Sequence, residues 1–265
     1  MNNDKRILEP LAELKVAGYS FIIPEQKKSP GYFIKELQEN KHVSALIQKL
    51  IRLKSPLKKK YIRFLKRTID ISFSFFLIII LFPLLLPVFA ILIKLNSKGP
   101  VFFLQKRNKK NGAIFYCIKL RTMIINDEAD TRSTWQDDER ITAIGKFLRR
   151  YHLDELPQLI NVLIGDMSLI GPRPHMISEN LLFQKEIREY SFRNEVKPGI
   201  TGLSQSLGNF GATDDVQQIE ERLLFDLLYI KRWSFKMEIK IVSRTIRGML
   251  MNKKEVNLDT ENHLK

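Results

Sequence analysis

The sequence predicts an α+β protein anchored on a membrane as a monotopic protein by a re-entrant helix-break-helix. Its mainly helical remainder carries one small β-hairpin. Three observations lead there. Residues 75–93 form a 19-residue run without a charged or hydrogen-bonding side chain, which reads as a membrane segment. A basic cluster lies on each side of that run, and neither contains an acid: Arg52, Lys54, Lys58, Lys59, Lys60, Arg63, Lys66 and Arg67 before it, and Lys94, Lys98, Lys106, Arg107, Lys109 and Lys110 after it. Beyond residue 96, two strand-like segments are followed by helical ones, without the regular alternation of a doubly wound sheet.

The run contains Pro83 and Pro87. A helix crossing the bilayer would put one basic cluster on the far side, against the positive-inside tendency. A helix that enters, bends at a proline and returns keeps both in the cytoplasm. Proline removes a backbone donor and clashes with the preceding turn, so a bend there has a cause. Length alone allows either form; the charge bias and the two prolines favour the re-entrant one. The formal charge of +15 suits anionic lipid, nucleic acid or phosphorylated substrates. Clustering of the charge beside the apolar run favours a membrane face over general solvation. Asp4, Lys5, Arg6 and Glu9 interrupt the first ten residues, so no secretory signal is expected. Cys117 is the single cysteine, which excludes an internal disulfide and points to a reducing compartment.

Four regions follow in order. Residues 1–55 read as a soluble extension of unknown role, with turns at Pro24 and Pro30-Gly31 and an amphipathic helix over 42–53. Val43, Leu46, Ile47, Leu50 and Ile51 share its apolar face. Fifty residues hardly sustain a core alone, so this part is expected to dock elsewhere or on the membrane. Residues 56–95 are the anchor, 96–250 the globular domain, and 251–265 a polar tail. Within the globular part, Val101 to Leu104 and Ile114 to Ile118 read as strands joined by a turn over 108–112, with Cys117 buried and structural. After Arg121 the chain turns acidic, with Asp127, Glu128 and Asp130 at the surface. Residues 144–150 and 156–163 are helical by periodicity, 197–199 is a turn, and 219–250 is a helical tract broken near Trp233-Ser234.

The chemistry concentrates at Leu153-Asp154-Glu155-Leu156-Pro157-Gln158, where two adjacent carboxylates precede an apolar helix. An isolated Asp-Glu pair there most simply caps the helix. The neighbours change that reading. Arg149 and Arg150 come one turn earlier, and Gly165 to Pro174 supplies a glycine- and proline-rich loop with Arg173. Glycines allow backbone amides to approach phosphate oxygens, and an arginine offers a planar donor fork. Carboxylates amid arginines beside a membrane suit metal-assisted phosphoryl transfer. The helix N-terminus and Arg149 are expected to keep Asp154 ionised.

At this point the sequence resembles a family, the bacterial sugar transferases or monotopic polyprenyl-phosphate phosphoglycosyl transferases. The resemblance rests on six segments in register: 98–103 (Lys-Gly-Pro-Val-Phe-Phe), 119–123 (Lys-Leu-Arg-Thr-Met), 140–149 around Gly145, 153–158, 165–174 and 196–202 (Val-Lys-Pro-Gly-Ile-Thr-Gly). It runs from about Lys66 to about Leu250. It implies transfer of a sugar-1-phosphate from a UDP-sugar to a polyprenyl (undecaprenyl) phosphate at the cytosolic face of the bacterial inner membrane, with release of UMP. Asp154 would be the nucleophile and form a phospho-sugar aspartyl intermediate. Mg2+ would be held by Glu155 and Asp154. Arg149 and Arg173 would bind phosphates, with Lys119 and Arg121 as weaker candidates. Asp226 matches a family acidic position, which a salt bridge explains nearly as well. His152 is read as structural. UDP-sugar, polyprenyl phosphate and membrane lipid are the expected partners, nucleic acid is not, and a homo-oligomer is allowed.

Three departures from the family pattern stand out. Phe82 precedes Pro83 where the family often has serine. Ser206-Leu207 replaces the familiar Val-Asn, which leaves the sugar open. A short leader stands where larger members carry several membrane helices. The rival from another class is a membrane-tethered binding or scaffold protein of an envelope complex, which has no need of paired carboxylates among arginines. Hydrolysis of the same donor is a second rival, and the membrane segment disfavours it.

Overall fold

The computed structural model describes residues 43–128, 134, 138–209, 211–213 and 215–250. The early turns near Pro24 and Pro30, His42, Asp130 and the 251–265 tail lie outside these residues. The amphipathic pattern over 42–53 becomes helix α1 (Val43–Ile51), whose buried Val43, Leu46, Ile47 and Leu50 join the main core. Its partner is α7 (Val216–Arg232), which buries Leu223, Leu224, Leu227 and Leu228. The helix thus docks on the globular core. Apolar side chains at i, i+3, i+4 and i+7 give it one face to bury.

Helix α2 (Lys60–Asn96) carries the apolar run and is the one helix among the described residues long and apolar enough to cross a membrane. The expected break is not an interruption of the helix: Pro83 and Pro87 both lie inside it. Along the run it is lipid-like in exposure, with Phe75, Phe76, Ile79, Leu84, Val88 and Ile91 all open. Yet both of its halves touch the globular domain. In the first half, Asp70 accepts from the Ser168 hydroxyl (2.8 Å) and the Leu169 amide (3.1 Å), while Arg67 donates to the Val162 and Leu163 carbonyls (2.6 and 2.8 Å). In the second, Phe89 and Ile93 are buried with Leu120 and Leu148.

Strands β1 (Phe102–Asn108) and β2 (Ile114–Leu120) form the expected antiparallel hairpin, closed by a short 3-10 turn at Lys110–Gly112. Both run further than the apolar clusters alone suggest, because ladder bonds extend through Gln105 to Asn108. Phe115 and Cys117 face inward, against Val162 and Met167. Helices α3 (Ala143–Arg150) and α4 (Gln158–Ile164) flank a 3-10 turn at Leu153–Glu155. A second small sheet pairs β3 (Ser168–Ile170) with β4 (Gly199–Thr201) in parallel. Helices α5 (Ile177–Glu186) and α6 (Leu203–Ser206) complete the connections. The tract over 219–250 is α7 and α8 (Phe235–Leu250), interrupted at Trp233-Ser234 as the pattern implies. The result is mostly helical with small two-stranded sheets.

Candidate active site

The dyad owes its position to one backbone reversal. Helix α3 starts at Thr142, whose hydroxyl accepts from the Gly145 amide (3.1 Å), and packs so closely that a Cβ on Gly145 would stand 2.0 Å from the Thr122 carbonyl oxygen. Past α3, His152 adopts the left-handed conformation at φ 54°. A non-glycine residue rarely takes that conformation, and here it turns the chain sharply into the 3-10 turn carrying Asp154 and Glu155. Pro157 then caps α4, with no side-chain capping bond, so the capping role considered for Asp154 is not observed. Asn161 fixes α4 to the hairpin, donating to the Tyr116 carbonyl (2.8 Å) and accepting from the Ile118 amide (2.9 Å).

The two carboxylates are both buried, at 7% exposure each, but their partners differ. Arg173 grips Glu155 with two nitrogens, at 2.7 and 3.3 Å, and Lys119 approaches it at 3.5 Å. Burial alone would raise the proton affinity of Glu155. The Arg173 and Lys119 charges outweigh it and hold the carboxyl well below the usual range. Asp154 receives no side-chain hydrogen bond or ion pair among the described residues. Burial, and then the Glu155 charge, push its carboxyl up; Lys119, Arg149 and His152 oppose this only in part. Burial and the Glu155 charge thus work against the help that Arg149 and the helix end were expected to give in keeping Asp154 ionised. A seven-residue helix reached through a 3-10 turn offers little field, and desolvation dominates. Arg149 itself is oriented by its Nε bond to the Thr122 hydroxyl (2.7 Å).

Two residues named from sequence do not face the dyad. Arg121 donates to the Ser97 carbonyl (2.8 Å) and to that of Lys98, so it fastens the end of α2. Asp226 is buried and takes both Nε and a terminal nitrogen of Arg193, at 2.9 and 2.7 Å. Arg193 also donates to the Arg173 carbonyl (2.8 Å), so Asp226 acts on the site only through that arginine. From the other side, Arg107 donates to the Pro174 carbonyl (3.0 Å). Buried Arg193 and partly buried Arg107 thus clamp consecutive carbonyls and aim Arg173 at Glu155. Neither was singled out from sequence: in so basic a chain, nothing local separates a clamp from a solvated charge.

The glycines of the 165–174 loop are also reassigned. Gly171 donates to the Thr201 carbonyl (2.9 Å), and a Cβ on Gly199 would stand 2.1 Å from the Gly171 nitrogen. Close strand packing requires Gly171, and Gly165 ends α4 in the left-handed conformation at φ 96°. Arg107, Cys117, Lys119, Glu155, Gln158, Arg173 and Pro174 line a small cleft beside the dyad. No group of three or more metal-ligating side chains occurs among the described residues. The two adjacent carboxylates nevertheless fit Mg2+, which needs only one or two when phosphates supply the rest.

One long apolar helix, exposed along its run, fits association with a membrane, and beside it lies a buried pair of acids among arginines. The family model for bacterial sugar transferases matches residues 61–252, and the chain belongs to that family. Over 193 residues it is 44% identical to the UDP-glucose:undecaprenyl-phosphate glucose-1-phosphate transferase of Escherichia coli (strain K12), a match covering 72% of this chain and 41% of that protein. A protein of the same name from Caulobacter vibrioides is 40% identical over 201 residues, covering 76% of this chain and 75% of the relative. The UDP-N-acetylgalactosamine-undecaprenyl-phosphate N-acetylgalactosaminephosphotransferase of Aeromonas hydrophila is 40% identical over 224 residues, 83% of this chain and 52% of that protein. The chain thus spans about two fifths of the E. coli relative and half of the Aeromonas one.

Proposed function

We propose that this protein transfers a sugar-1-phosphate from a UDP-sugar to undecaprenyl phosphate at the cytosolic face of the bacterial inner membrane, releasing UMP. The observation that carries the reading is the unequal dyad: Glu155 is neutralised by Arg173 and Lys119, while the Asp154 carboxylate beside it is buried and has no partner among the described residues. A carboxylate in that state is an available nucleophile. In the first step an Asp154 oxygen bonds to the phosphorus that bears the sugar. The bond from that phosphorus to the bridging oxygen breaks, and UMP leaves with the electron pair. In the second, an oxygen of undecaprenyl phosphate attacks the same phosphorus, and the pair returns to the Asp154 carboxylate.

In this reading Arg149 and Arg173 meet the diphosphate charge, with Lys119 as a further cation. Asp154 and Glu155 would hold Mg2+, which would supply charge neutralisation on the phosphates. The relatives' names carry different sugars, glucose and N-acetylgalactosamine, and the Ser206-Leu207 departure leaves this chain's sugar open. Incubation with labelled UDP-sugars and Mg2+ without lipid should leave label on a peptide containing Asp154. A dead Asp154→Asn enzyme with no adduct on the wild type would instead favour direct single-step transfer.

The same reading includes a re-entrant α2. Its support is that Arg67 and Ile93, about 39 Å apart on a straight helix, both contact one small domain. Single cysteines at Arg63 and Asn96, in a background lacking Cys117, should both resist an impermeant thiol reagent in intact cells. Labelling of only one would establish a span.

A further inference from the structure

The Val-Lys-Pro-Gly segment contributes its lysine to nothing described so far. Lys197 is half-buried, and no hydrogen bond or ion pair to it is formed among the described residues. Its neighbour is another cation. A Cβ built on Gly165 would stand 3.4 Å from Lys197 Nζ and 3.5 Å from an Arg67 terminal nitrogen, so the two cations face one small space, less than about 7 Å apart. Burial, and then the Arg67 charge, lower the proton affinity of Lys197. The nearby acids are already engaged: Asp166 with Lys109, and Asp70 with Ser168, Leu169 and Lys66.

Two cations held together at a half-buried position repel unless an anion joins them. Donors bonded to two oxygens of one phosphate stand about 5–8 Å apart, which this spacing fits. The level in the molecule points to where such a phosphate comes from. Arg67 lies on α2 between exposed Phe64 and Leu65 on one side and exposed Ile71 and Phe73 on the other, eight residues before Phe75. Apolar side chains alternating with cations on one helix mark the headgroup layer.

We infer that Arg67 and Lys197 form a phosphate-binding site at headgroup level, separated from the Asp154 dyad by helix α4, and that it holds the phosphate of an anionic lipid. Seven residues of α4 put about 10 Å of helix between the two sites, so one phosphate cannot occupy both. Arg67 has a second duty here, capping the last carbonyls of α4. Lys197 has none, which makes it the residue to test.

The full chain, purified in detergent, would be titrated with phosphatidylglycerol, with phosphatidylcholine, with undecaprenyl phosphate and with inorganic phosphate, and occupancy read by native mass spectrometry. Lys197→Met keeps the aliphatic stem and removes the charge. Lys60→Met, an exposed position on the same helix, controls for general surface charge. The site predicts about a tenfold loss of phosphatidylglycerol affinity in Lys197→Met and little change in Lys60→Met. A parallel loss for undecaprenyl phosphate or inorganic phosphate identifies the bare phosphate as the recognised group; a loss confined to phosphatidylglycerol identifies the lipid headgroup. Equal losses in both variants would reduce the effect to surface charge and overturn the site. So would unchanged binding in Lys197→Met, including the case where only its melting temperature falls, because Lys197 would then be a second counter-charge to α4. None of these readouts depends on sugar transfer, so failure here leaves the proposed activity standing.

Discussion

On α7 and beside it, two buried acids, Asp226 and Glu238, are matched by their surroundings. Asp226 takes two nitrogens of Arg193, and Glu238 accepts from Tyr229 (2.8 Å), Trp233 (2.7 Å) and Lys66. At the 3-10 turn, Asp154 is also buried but has no donor on it among the described residues, while Glu155 next to it has two cations. Burying a carboxylate without partners costs free energy, and a fold accepts that cost where another purpose needs the free oxygens. The matched region holds the protein together. The unmatched residue has the free oxygens that the proposed nucleophile needs, and Glu155 belongs electrostatically with the first group and spatially with the second.

The comparison breaks first at Asp154. Asp154→Asn should lower turnover by about a thousandfold or more, because an amide is no nucleophile toward phosphorus. The same variant should be slightly more stable than wild type at neutral pH, by about 1 kcal/mol, since it removes an uncompensated buried charge. Chemical denaturation beside an activity assay reads both. A destabilised Asp154→Asn protein would mean the carboxylate has partners after all.

Arg193→Met tests the matched region. Leaving Asp226 buried and unpaired should cost about 3–5 kcal/mol, seen as a lower denaturation midpoint. The Arg173 carbonyl loses its donor at the same time, so whatever folded enzyme remains should show a raised KM for the UDP-sugar. Normal KM in the folded fraction would remove Arg193 from the site's support. Glu155→Gln should fall between the two regions, costing about 2–3 kcal/mol by leaving Arg173 and Lys119 without their carboxylate.

The smallest effect is in pH. The folded-state proton affinity of Asp154 is raised, so the reactive anion is lost as pH falls through a value above that of an ordinary aspartate. Glu155 is shifted the other way: its folded carboxyl is depressed, so its contribution to stability is present above the unfolded value and is lost only on further acidification. Activity should therefore fall on acidification before the fold does. Coincident loss of activity and near-ultraviolet circular dichroism would show that the two carboxyls titrate together.

Much of the architecture was legible in the chain. The apolar run, the two-strand hairpin, the face of α1 and the interruption at Trp233-Ser234 all follow from periodicity and breakers, which act within a few residues. The dyad and Arg173 were visible because acids beside a helix start and an arginine in a glycine-proline loop are locally unusual. Arg107 and Arg193 were hidden, as two basic residues in a chain of charge +15. Arg121 and Asp226 looked like site residues and serve the fold instead.

Sequence by itself determined which segments are apolar, where the backbone turns, and where acids stand close to arginines along the chain. Only the tertiary structure decided which acid is satisfied and which is left bare. That depends on side chains brought together from β2, the 3-10 turn and the 165–174 loop, and on two arginines from β1 and the Tyr190–Glu195 turn that hold the loop in place. Electrostatic pairing depends on distance through space and on burial, and neither is a property of neighbours along the chain.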